Sequence, residues 1–302
     1  MKLLPALLLA FLPALPGAAE EKPVKGIDIA LLAENSSVAR GVPFTVGVKI
    51  HHHEGFHTYW RNPGIAGVPV KLEWQLPAGF SAGPIQWPYP QKSMMAIHPV
   101  HGFERDVMLL VEVTPPAELP ARVKLKATAS WMACADGCYP GKKELVLELP
   151  VEAEAKADPA VAASFTSARA ELPRPIEGWK AELLSAPDAA EIRVRLTPAD
   201  DRALPPGDIY FFSSDGQISS DPPQRVEKTP DGTGFEIIAA RSPYGPKGKS
   251  TLPGVLVSSR PLSKGGPSFA SIEPRSADGA TAAPAASTKA VPGAAKKCDC
   301  EP

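Results

Sequence analysis

The sequence predicts an all-β protein with many tight turns. Proline and glycine occur 36 and 24 times among 302 residues, and both are typical of turns and irregular connections. Several short segments alternate between apolar and polar residues with the period of two that β-strands require, whereas long stretches with helical periodicity are rare. The length is sufficient for two domains, each with its own hydrophobic core.

The first predicted domain, residues 20–154, consists of short strands separated by turns. In one of these strands Val46, Val48 and Ile50 alternate with smaller or polar residues, so we expect them to face the core. The strands predicted in this domain cover residues 27–33, 44–50, 70–76, 106–113, 123–131 and 144–151.

Residues 84–101 lack any clear alternation, and we predict a long loop there. Long loops in compact domains often carry function. The aromatic, imidazole and thioether side chains in this segment are those of Trp87, Tyr89, Met94, Met95, His98 and His101.

A short connector, residues 155–174, is predicted to follow the first domain. Asp158 and Pro159 are residue types expected at the N-cap and at the first position of a helix. Pro173 would end this helix, because proline cannot continue the hydrogen-bond pattern.

The second predicted domain, residues 175–274, is again built from strands and turns. It contains no cysteine and no histidine, so we expect it to act as a spacer or docking domain. Its predicted strands cover residues 178–184, 191–196, 208–212, 235–240 and 254–258.

The N-terminus has the pattern of a secretory signal peptide. Residues 1–19 combine Lys2 with an apolar, proline-containing stretch and with small residues before a cleavage site at Glu20. This stretch is too short to span a membrane, and no other segment reaches 18 apolar residues. A net charge of −1 without a basic run argues against nucleic-acid binding. We therefore expect a periplasmic or otherwise exported protein that is soluble after cleavage, in a compartment where disulfides form.

Residues 275–302 are rich in alanine, serine, threonine, proline and glycine, and we predict a disordered tail. The tail ends with a second cysteine pair, Cys298 and Cys300. Four interpretations stay open for this pair: a small-ring disulfide, a soft-metal site, a tethered thiol that exchanges with the other cysteines, or no function.

Cys134 and Cys138 flank the sequence Ala-Asp-Gly between two predicted strands. Asp-Gly between strands is a hairpin signal, and a three-residue loop commonly needs a glycine in the left-handed conformation, for which Gly137 is suited. Facing positions have Cβ atoms roughly 4.5–5.5 Å apart, and a disulfide prefers roughly 3.5–4.5 Å, so the pair can close with some strain. Strained, accessible disulfides exchange readily, so a redox-active hairpin is our hypothesis, and a structural staple and a metal site stay open as alternatives.

All six histidines lie between residues 51 and 101, which suggests a second function. Imidazole, thioether and thiolate groups suit copper, so a copper-binding protein is the first alternative. The candidate ligands besides the cysteines are His51, His53, His57, His98, His101, Met94 and Met95. The competing interpretation is that His51 and His53 lie on a solvated strand face.

Three segments resemble a known family. They are residues 55–64 (GFHTYWRNPG), 72–80 (LEWQLPAGF) and 130–141 (SWMACADGCYPG). In this order they are similar to the exported N-terminal domain of the thiol:disulfide interchange protein DsbD, especially to longer members with a second β-domain. The resemblance covers about residues 27–262 and implies two immunoglobulin-like β-sandwiches.

The resemblance also implies a function without a cofactor. Cys134 and Cys138 would be the exchanging pair, with Cys138 as the sulfur that partners attack and Cys134 as the resolving sulfur. Electrons would come from a membrane-associated, thioredoxin-like reductant. They would pass to periplasmic thiol proteins such as disulfide isomerases or cytochrome c maturation factors, which makes the chain a candidate component of a protein-disulfide reductase system.

Members of the family shield the cysteines with a mobile cap loop. Its counterpart here would be the segment 88–103, with Tyr89, Met94, Met95 and Phe103 as candidate capping residues. The cysteine spacing is shorter than in the best-known members, and their membrane spans and thioredoxin-like domain are missing from this sequence. We therefore expect a stand-alone exchange protein that needs a separate reductant. A non-catalytic β-sandwich adaptor with a structural disulfide is the second alternative.

Overall fold

The computed structural model describes residues 25–276, and the regular secondary structure of this part of the chain is β-strand apart from one helix, which confirms the predicted all-β class. The strands before the helix are β1 (Ile27–Ala33), β2 (Val38–Ala39), β3 (Phe44–His52), β4 (Thr58–Gly64), β5 (Lys71–Gln75), β6 (Ser81–Ala82), β7 (Gln91–Met95), β8 (His98–Phe103), β9 (Val107–Thr114), β10 (Arg122–Cys134) and β11 (Cys138–Glu152). The helix α1 (Ala162–Ala170) follows. The remaining strands are β12 (Trp179–Leu183), β13 (Glu191–Pro198), β14 (Ile209–Ser213), β15 (Arg225–Lys228), β16 (Phe235–Ala240), β17 (Gly254–Ser258), β18 (Phe269–Ile272) and β19 (Arg275–Ser276).

Strands β1 to β11 form the first of two immunoglobulin-like sandwiches. One sheet has the order β1-β3-β9-β6, the other has the order β2-β11-β10-β5, and a small third sheet has the order β4-β8-β7. Val46, Val48 and Ile50 are fully buried in the core between the sheets, as their alternation predicts. Trp60 and Trp131 are also buried there.

The second sandwich packs the sheet β15-β16-β13-β12-β19 against the sheet β14-β17-β18. Its core is a separate hydrophobic cluster that includes Ile192, Val194 and Leu256. The predicted tail begins two residues too early, because Arg275 and Ser276 form β19 and pair with β12. The predicted signal peptide and the rest of the predicted tail, with Cys298 and Cys300, lie outside the described residues.

The prediction of a long loop over residues 84–101 is wrong in its second half. Strands β7 and β8 pair from Gln91–Gly102 to Met95–His98 and form a hairpin. The turn contains Ala96 in a left-handed conformation (φ 53°), a position where glycine would have been the recognisable signal. Pro99 also interrupts the polar–apolar alternation, so the strand period was not visible in the sequence.

The predicted helix start is also wrong. The helix begins at Ala162 rather than after Asp158, and its N-cap residue, Val161, provides no side-chain hydrogen bond. The Asp158 carboxylate instead accepts a hydrogen bond from the Ala160 N–H in the preceding turn (2.9 Å). Phe165, buried on the helix, belongs to a hydrophobic cluster with Met108 of β9. The connector is therefore packed on the first sandwich.

The two sandwiches pack against each other. Phe212 of β14 is buried and belongs to the core cluster of the first sandwich. The Tyr89 ring stacks on the Phe269 ring with centroids 4.0 Å apart. Gly64 lies so close to Ser220 that any Cβ at this position would collide with the serine hydroxyl. These contacts fix the second sandwich beside strands β4, β7 and β8.

Candidate functional site: the cysteine hairpin and its cleft

The cysteine hairpin is the end of the two longest strands in the first sandwich. Strands β10 and β11 stay in register from Arg122–Pro150 to Cys134–Cys138. The two cysteines are therefore cross-strand neighbours, as the sequence predicts, and they form a disulfide with a Cα–Cα distance of 4.2 Å. This continuous pairing presents the disulfide at the tip of a rigid ladder.

The hairpin loop closes without the left-handed glycine that we predicted. Gly137 is not among the residues with positive φ. The N–H of Ala135 donates a hydrogen bond to the Gly137 carbonyl (3.0 Å), and the disulfide joins the residues on either side of the loop. The covalent bond and this hydrogen bond close the loop without a residue in the left-handed conformation.

The two cysteines differ in their exposure to solvent. Cys134 is 1% exposed, whereas Cys138 is exposed. A protein thiol that approaches from solvent therefore meets Cys138 first, and Cys134 is the sulfur that would leave when the disulfide is attacked.

Cys134 is held by a short hydrogen-bonded chain. The Tyr59 hydroxyl donates a hydrogen bond to Cys134 Sγ over 3.0 Å. His57 Nε2 lies 3.3 Å from the Tyr59 oxygen. The backbones of His57 and Cys134 also exchange two hydrogen bonds, of 2.9 and 3.0 Å. Strand β4 and the residue before it thus place the Tyr59 hydroxyl directly against the buried sulfur.

Burial determines which of these hydrogen-bonded side chains are protonated. It raises the pKa of Tyr59 to about 12, so the phenol stays protonated at neutral pH. It also lowers the pKa of His57, although Glu104 acts in the opposite direction. Because the phenol has one hydrogen and donates it to Cys134, His57 Nε2 carries the ring proton and donates to the Tyr59 oxygen.

A cleft of about 780 Å³ runs between the cysteine hairpin and the second sandwich. Ala135 and Asp136 of the hairpin loop form part of one wall, together with His57. The first sandwich also lines the cleft with Gly55, Lys92, Ser93, Met94, Pro99 and Glu104. The second sandwich lines it with Ile209, Tyr210, Ser220, Asp221, Pro223 and Gln224. The second sandwich, which we expected to be a spacer or docking domain, therefore forms one side of the cleft.

The structure separates the candidate cap residues. Met94 lines the cleft, and Met95 packs against the buried cluster that contains Cys134 and Tyr59. Phe103 is 1% exposed in the core of the first sandwich, and Tyr89 stacks on Phe269. Only the two methionines of the four candidates are thus close to the cysteine hairpin.

The histidines do not converge on one point. His51 and His53 lie on an exposed face, where they pair with Asp106 (2.8 Å) and Asp28 (3.2 Å). This arrangement agrees with the interpretation as a solvated strand face. Within residues 25–276, no group of three or more histidine, cysteine, aspartate or glutamate side chains is arranged to hold a metal ion.

Two other histidines are buried and uncharged. His52 Nε2 pairs with the Thr58 hydroxyl (2.8 Å), and His101 Nε2 pairs with the Tyr210 hydroxyl (3.1 Å). Burial lowers the pKa of each to about 4. His101 also lies edge-on to the Phe212 ring, so it is part of the contact between the sandwiches.

Sequence reasoning missed Tyr59 and the side of the cleft formed by the second sandwich. Tyr59 lies in the segment 55–64 that carries the resemblance, so its position two residues from His57 was an available signal. Tyr210 and Gln224 had no comparable signal, because nothing in their local sequence distinguishes them from ordinary strand and turn residues.

Comparisons with known proteins support the fold and the family. Residues 30–150 match the family model of the N-terminal domain of thiol:disulfide interchange protein DsbD. The crystal structure of the N-terminal periplasmic domain of ScsB from Proteus mirabilis is similar, with a TM-score of 0.60 and 15% identity over 85% of this chain and 97% of that chain. An I-band fragment of titin, I67–I69, aligns with 7% identity over 84% of this chain and 65% of that chain, but its TM-score of 0.19 supports no inference. No curated protein sequence matches the chain. Between residues 25 and 276, no helix is long and apolar enough to cross a membrane.

Proposed function

We propose that the chain is an exported thiol–disulfide exchange protein, because residues 30–150 match the DsbD N-terminal domain family. Cys134 and Cys138 would pass reducing equivalents between a thioredoxin-like dithiol and other exported thiol proteins. The observation that carries this proposal is the disulfide itself, with Cys138 exposed and Cys134 buried under a hydrogen-bond donor.

An exported location is supported by two independent features. Residues 1–19 have the pattern of a signal peptide. The ScsB domain that shares this fold is described as periplasmic. In such a compartment a disulfide persists until a dedicated thiol reduces it.

Reduction would begin at the exposed sulfur. A donor thiolate attacks Cys138 Sγ, a mixed disulfide forms, and the Cys134–Cys138 bond breaks so that its electron pair stays on Cys134. The Tyr59 hydroxyl stabilises the thiolate that develops on Cys134, and a better leaving thiolate accelerates exchange. The donor's second thiolate then attacks its own partner sulfur, which releases Cys138 as a thiolate.

Transfer to an acceptor would be the reverse of this sequence. The Cys138 thiolate attacks the acceptor disulfide and forms a mixed disulfide with one acceptor sulfur. Cys134 then attacks Cys138 Sγ, the Cys134–Cys138 bond forms again, and the acceptor leaves as a dithiol. Two electrons pass from the donor to the hairpin and then from the hairpin to the acceptor, and thiols and disulfides carry both steps without a cofactor.

The alternatives receive less support from the structure. For copper binding, His51 and His53 already have carboxylate partners, and His57 and His101 are buried in other contacts. For an adaptor with a structural disulfide, a buried pair would be expected, whereas Cys138 is exposed.

Exchange with a thioredoxin-like dithiol tests the proposal. The chain with both tail cysteines changed to serine is mixed with reduced thioredoxin, and free thiols are trapped by alkylation over time. We expect reduction of the parent hairpin and no turnover in Cys138→Ser. A parent hairpin that stays oxidised throughout would contradict exchange and favour the adaptor.

A further inference from the structure

The cleft beside the cysteine hairpin has an acidic lining. Glu104, Asp136 and Asp221 contribute three carboxylates, against one ammonium group from Lys92. The Lys92 ammonium lies 5.1 Å from the centroid of the Tyr210 ring, and His57 is kept neutral by burial. The cleft therefore favours a segment that carries positive charge.

One segment of this chain has both the charge and the chemistry to fit. Residues 296–300 read Lys-Lys-Cys-Asp-Cys, with two ammonium groups before the thiols, one carboxylate between the thiols, and a side-chain charge of +1. Lysine side chains at 296 and 297 complement the carboxylates of the cleft. The adjacent cysteines would then lie beside the loop that Cys138 follows.

We infer that residues 296–300 dock in this cleft and exchange disulfides with the cysteine hairpin in the same molecule. This inference rests on the proposed function, because it assumes that the Cys134–Cys138 disulfide is exchangeable. It assigns a role to the tail cysteines and to the carboxylate that the second sandwich contributes to the cleft, that of Asp221.

The chain between the last described strand and the tail cysteines is long enough. From Ser276 to Cys298 there are 22 peptide units in the sequence, which span at most roughly 75 Å when extended. A compact chain of the described length has a radius of gyration of roughly 18 Å, so surface points are seldom more than about 50 Å apart. The tail thiols can thus reach any part of the surface.

The proposed exchange transfers two electrons from the tail cysteines to the hairpin cysteines. With the tail reduced, a tail thiolate attacks Cys138 Sγ, the Cys134–Cys138 bond breaks, and Cys134 leaves as a thiolate. The second tail thiol, after losing its proton to solvent, attacks the tail sulfur of the mixed disulfide. A Cys298–Cys300 disulfide forms, Cys138 is released, and two electrons have moved from the tail to the hairpin.

The test uses the full chain with one cysteine left at each site. Cys134→Ser with Cys298→Ser leaves Cys138 and Cys300, and the chain is equilibrated in glutathione buffers. Alkylation, proteolysis and mass analysis then measure the Cys138–Cys300 disulfide. We expect its formation to be independent of protein concentration. At ~10 µM protein it should exceed reaction with an equimolar free peptide of residues 296–302 by about 100-fold, because a tether gives millimolar effective concentrations.

Charge variants separate docking from mere tethering. Lys296→Glu with Lys297→Glu, or Asp221→Lys, should lower the amount of Cys138–Cys300 disulfide several-fold. Glu118→Lys is the matched control, since Glu118 is an exposed carboxylate that does not line the cleft. If the chain with Cys134→Ser and Cys298→Ser fails to fold, the chain with Cys298→Ser alone is used instead. Its hairpin cysteines are intact, and mass analysis measures the same Cys138–Cys300 disulfide.

The possible outcomes distinguish this inference from the proposed function. A disulfide that forms only in proportion to protein concentration, between two copies, would overturn it, as would equal amounts in the charge variants. If reduced thioredoxin still reduces the hairpin in a chain without tail cysteines, the proposed function holds even when the tail inference is overturned. A hairpin that reacts with neither thiol would overturn both.

Discussion

The Tyr59 hydroxyl donates a hydrogen bond to Cys134 Sγ over 3.0 Å, although the two residues are 75 positions apart in the sequence. Both side chains are almost fully buried. Burial raises the pKa of Tyr59 to about 12, so the phenol is a hydrogen-bond donor across the physiological range. A buried sulfur that becomes negatively charged during exchange gains most from such a donor, because hydrogen bonds to charged groups are stronger.

Tyr59→Phe should slow reduction of the hairpin. The variant removes the donor to Cys134 and leaves the ring in place, and a hydrogen bond to a charged group is worth about 1.5–3 kcal/mol, or roughly 10- to 150-fold in rate. The measurement is the second-order rate of reduction by a small dithiol at pH 7. Tyr139→Phe is the control, because its hydroxyl donates to Asp136 and not to a cysteine. Equal rates in the parent and both variants would show that Tyr59 does not assist the leaving sulfur.

The two cysteines should behave differently when each is left alone. In Cys134→Ser the exposed Cys138 should accumulate a stable mixed disulfide with a thioredoxin-like partner, because the resolving sulfur is missing. In Cys138→Ser the remaining cysteine is 1% exposed, so little mixed disulfide should form. Gel analysis without reductant measures both, in a chain whose tail cysteines are serine. The reverse pattern would assign the attacked position to Cys134.

Stability should fall as the pH drops from about 6.5 to about 4. His52 and His101 have folded-state pKa values of about 4, whereas unfolded histidine titrates near 6.5. Between these values the unfolded state binds protons that the folded state does not, so each histidine lowers the free energy of unfolding by on the order of 3 kcal/mol across this window.

Urea unfolding at pH 7 and pH 4.5 checks this dependence. His101→Gln should reduce the difference between the two pH values by about 2 kcal/mol, since it removes one titrating group. His53→Gln is the control, because His53 is exposed beside Asp28. If His101→Gln keeps the parent pH dependence, His101 is not held neutral in the folded state.

Phe212→Ala should destabilise both sandwiches together. Phe212 belongs to β14 but is buried in the core cluster of the first sandwich, and truncation of a buried phenylalanine typically costs about 3–5 kcal/mol. We expect one unfolding transition, shifted to lower denaturant, by both fluorescence and circular dichroism. Tyr244→Ala, at a side chain 91% exposed, should change little. Two separate transitions in the variant, with the first sandwich unaffected, would contradict the shared core.

Local patterns predicted that the two hairpin cysteines face each other, although not the conformation of Gly137. Alternation identified the strands on either side of the hairpin, and the short loop between them required Cys134 and Cys138 to face each other. The burial of Val46, Val48 and Ile50 also follows from alternation alone. These features depend on residues that are close in sequence, where strand period and turn length fix the geometry.

Features that depend on distant residues were not predictable in the same way. The hairpin of β7 and β8 is stabilised by pairing with β4 and by the contacts of Pro99 and His101 with the second sandwich, not by a local signal. The approach of Ser220 to Gly64 and the contacts of Phe212 with the first sandwich join positions more than 100 residues apart. Tyr210 entered the cleft for the same reason, because only the packing of the two sandwiches brings it there.

The reduction potential of the Cys134–Cys138 pair tests the central claim most directly. The chain with Cys298→Ser and Cys300→Ser is equilibrated in a series of glutathione buffers, and trapped thiols are counted by mass analysis. A thiol–disulfide exchange protein should give a value within roughly −180 to −270 mV, the range of dedicated oxidoreductases. A pair that remains oxidised below about −300 mV, as structural disulfides do, would contradict the account.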